Sequence, residues 1–408
     1  MKCRHCQSDQ CFEVIDLGHA PPSNAYLSPA QLARPEIWYP LRVMVCSECW
    51  LMQTVDVTDY SQLFDADYAY FSSYSASWLA HAKNLVTHLI TRFHLTPEQL
   101  VVEVAANDGY LLQYVKDAGI RCLGIEPTLS TAIAAREKGL EIETCFFGTQ
   151  TADQLSQKGC QADCMIANNV LAHVPDINDF VGGFTRLLKP TGVITFEFPH
   201  VLALLQHHQF DTIYHEHFSY LSLLSVTRIL QQQGLMVFDV EQLTTHGGSL
   251  RLYVQHQQTG PHATNPQVNA LLDLEREAGL AYPATYQALN QQAIEAKHAL
   301  LAFLLTQKQA GNTVVAYGAA AKGNTFLNYA GIRPDLLEAV VDRNPHKQGK
   351  YLPGSRIPIV DETYLRERQP RYILILPWNL TTEIIEQLSY ARQWGAQFVR
   401  AIPALEIL

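Results

Sequence analysis

The stretch Leu100-Val-Val-Glu-Val-Ala-Ala-Asn-Asp-Gly109 decides the fold of this chain. It predicts a short apolar strand from Leu100 to Ala105, a turn at Asn107-Asp108-Gly109 and a helix from Tyr110 to Ala118. A strand that turns sharply into a helix is typical of parallel sheets with helices on both faces. Ligands bind in such sheets at the carboxyl ends of the strands.

Two carboxylates flank this turn. Glu103 precedes it on the strand, and Glu126 ends the next predicted strand, Cys122 to Glu126. A carboxylate at that second position is suited to the two ribose hydroxyls of an adenosine. Because the glycine fingerprint for a pyrophosphate is absent, we expect an adenosine cofactor without pyrophosphate, such as S-adenosylmethionine. Leu187-Leu-Lys-Pro-Thr-Gly-Val-Ile194 resembles the segment before the fifth strand of class I methyltransferases.

The predicted cofactor site draws on the ends of several strands. A later strand, Ala162 to Ala167, runs into an asparagine pair, and Phe146 and Phe147 follow the third strand, where they either flank an adenine or pack in the core. The predicted cofactor-binding residues are Glu103, Ala105, Asn107, Asp108, Gly109, Glu126, Pro127, Phe146, Asn168 and Asn169.

The cysteine spacing predicts a metal site ahead of this domain. Cys3-x-x-Cys6 and Cys46-x-x-Cys49 are two knuckles that together supply four thiolates for one zinc ion. Four thiolates leave no open position, so the zinc is expected to be structural. Cys11 competes as a ligand but belongs to no pair.

Alternating strand and helix patterns begin again at Asn312. We therefore expect an α/β protein with a class I methyltransferase (Rossmann-like) domain, an N-terminal zinc-binding module and a second C-terminal Rossmann-like domain. A hairpin of Met236–Leu243 and Ser249–Gln255 closes the first sheet, and two helices broken near Pro283 precede the second. The predicted bounds are 1–70, 71–265, 266–310 for the helical linker and 311–408.

Composition limits the possible partners. A chain of 408 residues with 48% hydrophobic and 17% charged residues suits two or three globular domains. A net charge of -10 argues against a nucleic-acid partner, which requires basic surface. The sequence contains no run of about 18 apolar residues and no apolar leader, so we expect a cytoplasmic protein without a membrane partner, as a monomer or weak dimer.

Several motifs carry a family resemblance in the same order along the chain. Besides the cysteine pairs and Glu103–Gly109, they are Asn168-Asn-Val-Leu-Ala-His173, Tyr214-His-Glu-His217, His246-Gly-Gly-Ser-Leu-Arg251 and Gly318-Ala-Ala-Ala-Lys-Gly323. With these the chain resembles the sugar C-methyltransferases that act on nucleotide-linked 4-keto deoxysugars. The resemblance implies methyl transfer from S-adenosylmethionine to C3 of the sugar, beside the C4 ketone.

The run from Ile213 to Ser219 predicts the catalytic centre. Carbon becomes a nucleophile only after a proton leaves it, and histidine suits the base because it titrates near neutral pH. The resemblance implies that His217 is this base. Tyr214 and Glu216 are assigned to support this base, and His173 is assigned to the keto oxygen. Tyr70 resembles the N-terminal active-site tyrosine of the family, and Tyr68 competes with it for that role. His215 stays unassigned.

Substrate recognition is predicted mainly in the C-terminal domain. The turn Gly318–Asn324 opens a helix, where free N–H groups attract phosphate, and Lys322 adds charge for a diphosphate. The alternative is a tight turn with an exposed lysine. The predicted substrate-binding residues are Tyr68, Ser72, Ser249, Arg251, Lys322, Asn324 and Asn379.

Other functions stay open at this point. The C-terminal domain, with Asp342 at the end of a strand, also suits an NAD-dependent nucleotide-sugar oxidoreductase. An O- or N-methyltransferase acting on the same substrates is a second alternative. A zinc-bearing adapter with a degenerate methyltransferase domain is a third, and the intact pair Glu103 and Glu126 argues against it.

Overall fold

A computed structural model describes residues 1–55 and 71–408 of the chain. The predicted site residues Tyr68 and Tyr70 lie outside these described residues. Within the described ranges, every helix is too short or too polar to cross a bilayer.

The N-terminal residues form three antiparallel strands. They are β1 (Cys11–Ala20), β2 (Tyr39–Cys46) and β3 (Met52–Thr54), and β2 pairs with both of the others. Since Cys46 ends β2 and Cys49 lies in the turn to β3, this ladder returns the second cysteine pair to the first.

Helices and strands then alternate through the middle of the chain. They are α1 (Ala76–Phe93), β4 (Leu100–Val104), α2 (Leu112–Asp117), β5 (Arg121–Ile125), α3 (Leu129–Glu137), β6 (Ile142–Glu143), α4 (Thr149–Gln157), β7 (Ala162–Asn168), α5 (Ile177–Leu187), β8 (Leu188–Pro199), α6 (Val201–Gln206), β9 (Ser219–Tyr220), α7 (Leu223–Gln232), β10 (Leu235–Leu243) and β11 (Ser249–His256).

Seven of these strands form one sheet in the order β10-β11-β8-β7-β4-β5-β6. The five strands from β8 to β6 are parallel, whereas β11 is antiparallel to both of its neighbours. The predicted α/β class and the closing hairpin are therefore confirmed. The first strand ends one residue earlier than predicted, because Ala105 has a φ of 60°, which no extended strand accommodates.

The short strand β9 leaves this sheet and pairs instead with β3. Tyr220 lies opposite Met52, and Ser219 lies opposite Gln53. The N-terminal sheet thus has four strands, in the order β1-β2-β3-β9. Its last strand begins at Ser219, the last residue of the predicted catalytic run.

The remaining elements form a second α/β unit. They are α8 (Pro266–Glu277), α9 (Pro283–Gln309), β12 (Val314–Tyr317), α10 (Ala321–Ala330), β13 (Val340–Val341), β14 (Ile359–Val360), α11 (Thr363–Arg368), β15 (Tyr372–Ile375), α12 (Thr381–Gln387), β16 (Gln397–Arg400) and β17 (Glu406–Ile407). Their sheet has the order β14-β13-β12-β15-β16-β17 and is parallel except for β17.

Two predictions for this unit have different outcomes. The break between helices near Pro283 is confirmed, since proline at the first position of α9 needs no N–H partner. The prediction of a turn through Asn324 was wrong: the extended backbone ends at Ala320, and α10 begins at Ala321. Lys322 and Asn324 therefore lie in the first turn of α10.

The long helix α9 joins the N-terminal strands to the C-terminal sheet. Tyr286 of α9 stacks on Trp50 at a centroid distance of 6.3 Å, and Phe12 of β1 meets both rings edge-on. Farther along α9, Phe303 packs edge-on against Tyr372 of β15 at 5.2 Å. One apolar core thus runs from the zinc module into the C-terminal unit.

Candidate active site

The turn after β4 has an unusual backbone. Ala105, Asn107 and Gly109 all have positive φ, at 60°, 49° and 75°. A Cβ on Gly109 would lie 2.3 Å from Cδ1 of Leu140, so only glycine fits there. Strained turns of this kind persist where the surrounding structure holds them, which is common at ligand sites.

The two predicted carboxylates lie beside this turn. The carboxylate of Glu126 accepts hydrogen bonds from the backbone N–H groups of Asn107 and Thr128, each at 2.9 Å. Burial raises the pKa of Glu126. Glu103 is completely buried, and its burial raises the pKa of that carboxyl well above its usual value. Pro127, which follows Glu126, is half-buried.

The segment before α1 packs on the same turn. The backbone N–H of Ser72 donates to Oδ1 of Asn107 at 2.9 Å, and the hydroxyl of Ser73 bonds to the carboxylate of Asp108. Lys138 donates to the Asp108 carbonyl at 2.6 Å. Ser72, predicted to bind substrate, therefore lies against the cofactor turn.

Buried polar atoms at the strand ends provide a test of the cofactor assignment. Asn168 and Asn169 follow one another at the end of β7, and Asn169 has a φ of 53°. Among the described residues, Oδ1 of Asp108, both amide atoms of Asn168 and Oδ1 of Asn169 have no hydrogen-bond partner. Such atoms are costly unless a ligand or water satisfies them, so this edge fits a polar ligand such as the amino-acid part of S-adenosylmethionine.

The two phenylalanines after β6 differ in their surroundings. Phe146 is 51% exposed, whereas Phe147 packs edge-on between Phe180 and Phe184. The structure therefore places Phe147 in the core and leaves Phe146 at the surface.

The run Tyr214–His217 closes in a tight turn. The N–H of His217 donates to the Tyr214 carbonyl at 2.9 Å, which brings the two rings to a centroid distance of 3.9 Å. His173, from the short helix after β7, meets the His217 ring edge-on at 4.6 Å. Tyr214, His217 and His173 thus form one cluster.

The hydrogen bonding of His217 defines its protonation. Nδ1 lies 2.8 Å from the carbonyl oxygen of Thr212, and a carbonyl only accepts, so Nδ1 carries the proton. Burial, with the nearby charges of His173 and Lys322, lowers the pKa of His217 well below 6.5. Burial likewise lowers the pKa of His173 to about 4. Both rings are therefore neutral at pH 7, and Nε2 of His217 keeps a free lone pair.

The other two members of the run point elsewhere. Oε1 of Glu216 accepts from Nδ2 of Asn24 in the N-terminal module at 3.1 Å, and burial raises the pKa of Glu216. His215 meets the ring of Tyr39 edge-on at 6.0 Å. Glu216 consequently orients the N-terminal module rather than an imidazole nitrogen.

A third histidine joins the site, which the sequence analysis did not assign. His246 lies in the turn between β10 and β11 with a φ of 55°, and its Nε2 is 3.0 Å from Nδ2 of Asn169. The edge of its ring faces Trp78 of α1 at 5.2 Å. Two glycines directly after a histidine in a hairpin turn were the available signal for a functional residue there.

Arg251 and Ser249 are held by the protein itself. Arg251 pairs with the buried carboxylate of Glu197 at 2.7 Å and with Glu241 at 3.1 Å. Glu197 also lies 2.9 Å from Nε2 of His81. Ser249 donates to the Thr245 carbonyl at 2.9 Å. In this structure both predicted substrate residues support the β10–β11 turn.

Residues of the C-terminal unit reach the same site. Nζ of Lys322 is 2.7 Å from Oδ1 of Asn379 and 4.5 Å from the centre of the Trp378 ring. Trp378 donates through Nε1 to Asp211 at 2.8 Å, just before the Tyr214–His217 run. Asn324 instead donates to the Ser23 carbonyl at 3.3 Å, so it joins the N-terminal module to α10.

Asp211 is a buried acid that sequence analysis missed. Burial raises its pKa to about 7, although Lys322 and the Trp378 N–H oppose this shift. Burial also lowers the pKa of Lys322. No spacing pattern in the sequence links residues so far apart.

The four predicted zinc ligands converge. Sγ of Cys3 lies 3.5 Å from Sγ of Cys49, and Sγ of Cys6 lies 3.6 Å from Sγ of Cys46. All four sulfur atoms lie within 4.8 Å of one another. This donor set fits a tetrahedral zinc ion with sulfur ligands at about 2.3 Å. Cys11 is not part of the group.

Family models match three successive parts of the chain. A zinc binding domain matches residues 3–64, a methyltransferase domain matches residues 78–240, and a C-methyltransferase C-terminal domain matches residues 244–403. The last match includes the β11 strand as well as the second α/β unit.

Comparison with individual proteins gives one relative over the full length. C-methyltransferase NovU of Streptomyces niveus is 33% identical over 407 residues, which cover 100% of this chain and 96% of NovU. Among solved structures, a magnesium protoporphyrin IX methyltransferase from Synechocystis covers 43% of this chain and 82% of its own, with 17% identity and a TM-score of 0.35. A S-adenosylmethionine-dependent methyltransferase from Clostridium acetobutylicum covers 44% and 91%, with 11% identity and a TM-score of 0.36.

Proposed function

The chain belongs to the S-adenosylmethionine-dependent C-methyltransferase family, and we propose that it methylates C3 of a nucleotide-diphosphate-linked 4-keto (6-)deoxysugar. The product is a C-methyl branched sugar for polysaccharide or natural-product glycosylation. The observation that carries the proposal is the neutral His217, whose Nδ1–H is bonded to the Thr212 carbonyl and whose ring packs against those of His173 and Tyr214.

Methyl transfer to carbon requires a carbanion equivalent. The C3–H bond beside a C4 ketone is acidic because its electron pair moves into an enolate. His217 accepts this proton on Nε2, and the Thr212 carbonyl stabilises the imidazolium that forms through Nδ1–H. General bases placed in this way contribute about 10²–10⁴-fold to the rate.

The enolate oxygen needs hydrogen-bond donors. The neutral ring of His173 and the phenol of Tyr214 both pack against His217, at centroid distances of 4.6 and 3.9 Å. We assign them to the C4 oxygen. One well-placed donor to a developing oxyanion contributes about 3–4 kcal/mol.

The cofactor assignment uses the strand ends of the large sheet. Among the described residues, Glu103, Asp108, Asn168 and Asn169 supply unsatisfied polar atoms at this edge, and Glu126 lies beside the β4 turn. When bound, S-adenosylmethionine supplies an electrophilic methyl group on sulfur. The contact between Asn169 and His246 supports a position of the cofactor near the histidines.

The anionic end of the substrate is assigned to the C-terminal unit. Lys322 and Asn379 meet over Trp378, at the point where α10 begins. An ammonium group at a helix N-terminus is suited to a diphosphate. A net charge of -10 makes such a local positive group the natural place for an anion.

The NAD-dependent alternative finds less support. Asp342 directly follows β13, where a ribose carboxylate would lie. Its two oxygens already accept from the backbone N–H groups of Ala319 and Asn344, each at 2.8 Å, and Lys347 lies 3.7 Å away. The Asp342 carboxylate thus stabilises the loop that precedes α10 by accepting the Ala319 N–H.

A panel of nucleotide-linked 4-keto sugars in deuterium oxide tests the proposal. We expect deuterium at C3 without the methyl donor, and a C3-methylated product with it, both detected by mass spectrometry and NMR. His217→Gln should lose both reactions, whereas His207→Gln at an exposed position should keep them. A product methylated on oxygen or nitrogen, with no exchange at C3, would overturn the assignment.

A further inference from the structure

Arg4 lies inside the zinc knuckle, between the ligands Cys3 and Cys6, yet its side chain is directed away from the metal site. The guanidinium donates to the Pro175 carbonyl at 2.8 Å and to the Thr54 carbonyl at 3.0 Å. It also lies over the ring of Phe218 at 5.3 Å. Only 8% of this residue is exposed.

Each of the two carbonyls belongs to a segment that contains or contacts a histidine of the candidate active site. Pro175 follows His173 by two residues. Thr54 donates through its hydroxyl to the His217 carbonyl at 3.2 Å and through its backbone N–H to the Phe218 carbonyl at 3.1 Å.

A backbone hydrogen bond also connects the two histidine segments directly. The N–H of Phe218 donates to the Ala172 carbonyl at 2.8 Å, which joins the His217 segment to the His173 segment directly. The guanidinium of Arg4 therefore links the Pro175 carbonyl to the Thr54 carbonyl. These two residues belong to segments that the bond from Phe218 to Ala172 already connects. Its planar fork suits two carbonyls at a fixed separation, and an ammonium group does not reproduce this.

We propose that Arg4 is a positioning residue, which uses the zinc knuckle as an anchor to set the distance between His173 and His217. The inference rests on the proposed function of these two histidines, whereas the contacts that carry it do not depend on the identity of the substrate. In this role of Arg4, the structural zinc contributes to catalysis as well as to the stability of the N-terminal module. A misplacement of about 1 Å at a reacting group costs about 10²-fold in rate.

The neighbouring His5 offers a matched control. Its Nδ1 lies 2.8 Å from Oδ1 of Asn178, and Asn178 donates back to the His5 carbonyl at 2.8 Å. His5 thus docks the same knuckle onto the start of α5, with no contact to the carbonyls that Arg4 bridges. A defect in general docking should appear in His5→Ala as well, whereas a defect in positioning should not.

The experiment compares Arg4→Met, Arg4→Lys and His5→Ala in the full-length zinc-loaded protein. The imidazole Cε1–H resonances of His173 and His217, assigned with single His→Gln variants, report the geometry without any substrate. Zinc content and S-adenosylmethionine affinity are measured in parallel. Turnover is then measured with the sugar nucleotide that the wild type accepts.

In Arg4→Met we expect both resonances to move and kcat to fall about 10²-fold, with zinc retained and cofactor affinity within about twofold. Arg4→Lys should recover only part of the rate, and His5→Ala should leave both resonances in place. Unchanged resonances in Arg4→Met, or equal changes in His5→Ala, would overturn the proposal. If the wild type accepts no sugar nucleotide of the panel, the proposed function fails, whereas the resonance result remains readable.

A second variant decides the matter if Arg4→Met does not fold. Thr54→Val removes the hydroxyl that donates to the His217 carbonyl and leaves the knuckle untouched. We expect the His217 resonance to move and the His173 resonance to stay. An unchanged His217 resonance in Thr54→Val would contradict a positioning path from the knuckle to this histidine.

Discussion

Nδ1 of His217 donates to the carbonyl oxygen of Thr212 at 2.8 Å, so the ring presents Nε2 as its basic atom. This single contact selects the tautomer that proton abstraction requires. It comes from the backbone of the short helix Phe210–Thr212, and therefore does not depend on a second titrating group.

The pH dependence of C3 deprotonation should reflect the buried state of His217. Because burial lowers the pKa of this ring well below 6.5, the ring stays neutral and able to accept a proton at pH 6. We expect the exchange rate at C3 to stay level from pH 8 to pH 6.5 and to fall only at lower pH. An acid limb centred at or above pH 6.5 would contradict this. The measurement is deuterium uptake by NMR at each pH.

Cofactor binding should release a proton from Glu103. Burial raises the pKa of this carboxyl well above its usual value, and a cationic methyl donor beside it favours the ionised form. Affinity for S-adenosylmethionine should therefore rise with pH. Calorimetry in buffers of different ionisation enthalpy measures the released proton, and Glu103→Gln should abolish it. Adenosine, which lacks the cationic groups, is the control ligand; equal heats in all buffers would refute the prediction.

Asp211→Asn should stabilise the protein at alkaline pH. The folded-state pKa of Asp211 is raised from 3.8 to about 7, so its contribution to stability is fully present below pH 3.8 and is lost as the pH rises to about 7. The loss is at most about 4 kcal/mol, and an amide that still accepts from Trp378 avoids it.

The measurement is the difference in melting temperature between Asp211→Asn and wild type at pH 5 and pH 8. We expect a larger stabilisation at pH 8. Asp273→Asn is the control, because that carboxylate is 64% exposed in its pair with Arg276. A variant that is less stable than wild type at pH 8 would show that the ionised Asp211 is needed next to Lys322.

Lys322→Met should weaken substrate binding selectively. Its ammonium group lies between Asn379 and Trp378, and we assign it to the diphosphate. We expect KM for the sugar nucleotide to rise about tenfold or more with little change in kcat, which is the signature of an interaction present throughout the reaction. Lys308→Met, at the exposed end of α9, is the control. A loss of kcat with an unchanged KM would instead assign Lys322 to the reacting oxygen.

The local patterns of this sequence were sufficient for the fold class. The apolar strand Leu100–Val104, the acidic residues after it and the cysteine spacing each depend on neighbours in sequence, and such patterns determine strands, turns and knuckles directly. The start of α10 at Ala321 was missed because the small residues there suit a turn and a helix equally, and only packing decides between them.

The composition of the site was harder to predict for a physical reason. His246 and Trp378 reach the site only through tertiary contacts, such as the 2.8 Å bond from Trp378 to Asp211. Arg251 was predicted to bind substrate, but it pairs with the buried carboxylate of Glu197. The partners of a charged side chain are a property of the folded chain, which spacing alone does not reveal.

The pairing of β9 with β3 also has a consequence for the order in which the protein matures during synthesis. All four zinc ligands are present in the chain once Cys49 is made, so the knuckle can take up its metal long before β9 is synthesised. The open edge of β3, however, has no partner until Ser219 and Tyr220 emerge. The pairing of β9 with β3 also brings the His217 carbonyl to the hydroxyl of Thr54. A nascent chain that ends before Tyr214 therefore has all four zinc ligands but lacks the proposed catalytic histidine, and the last strand of the N-terminal sheet directly follows this histidine and Phe218 in the chain.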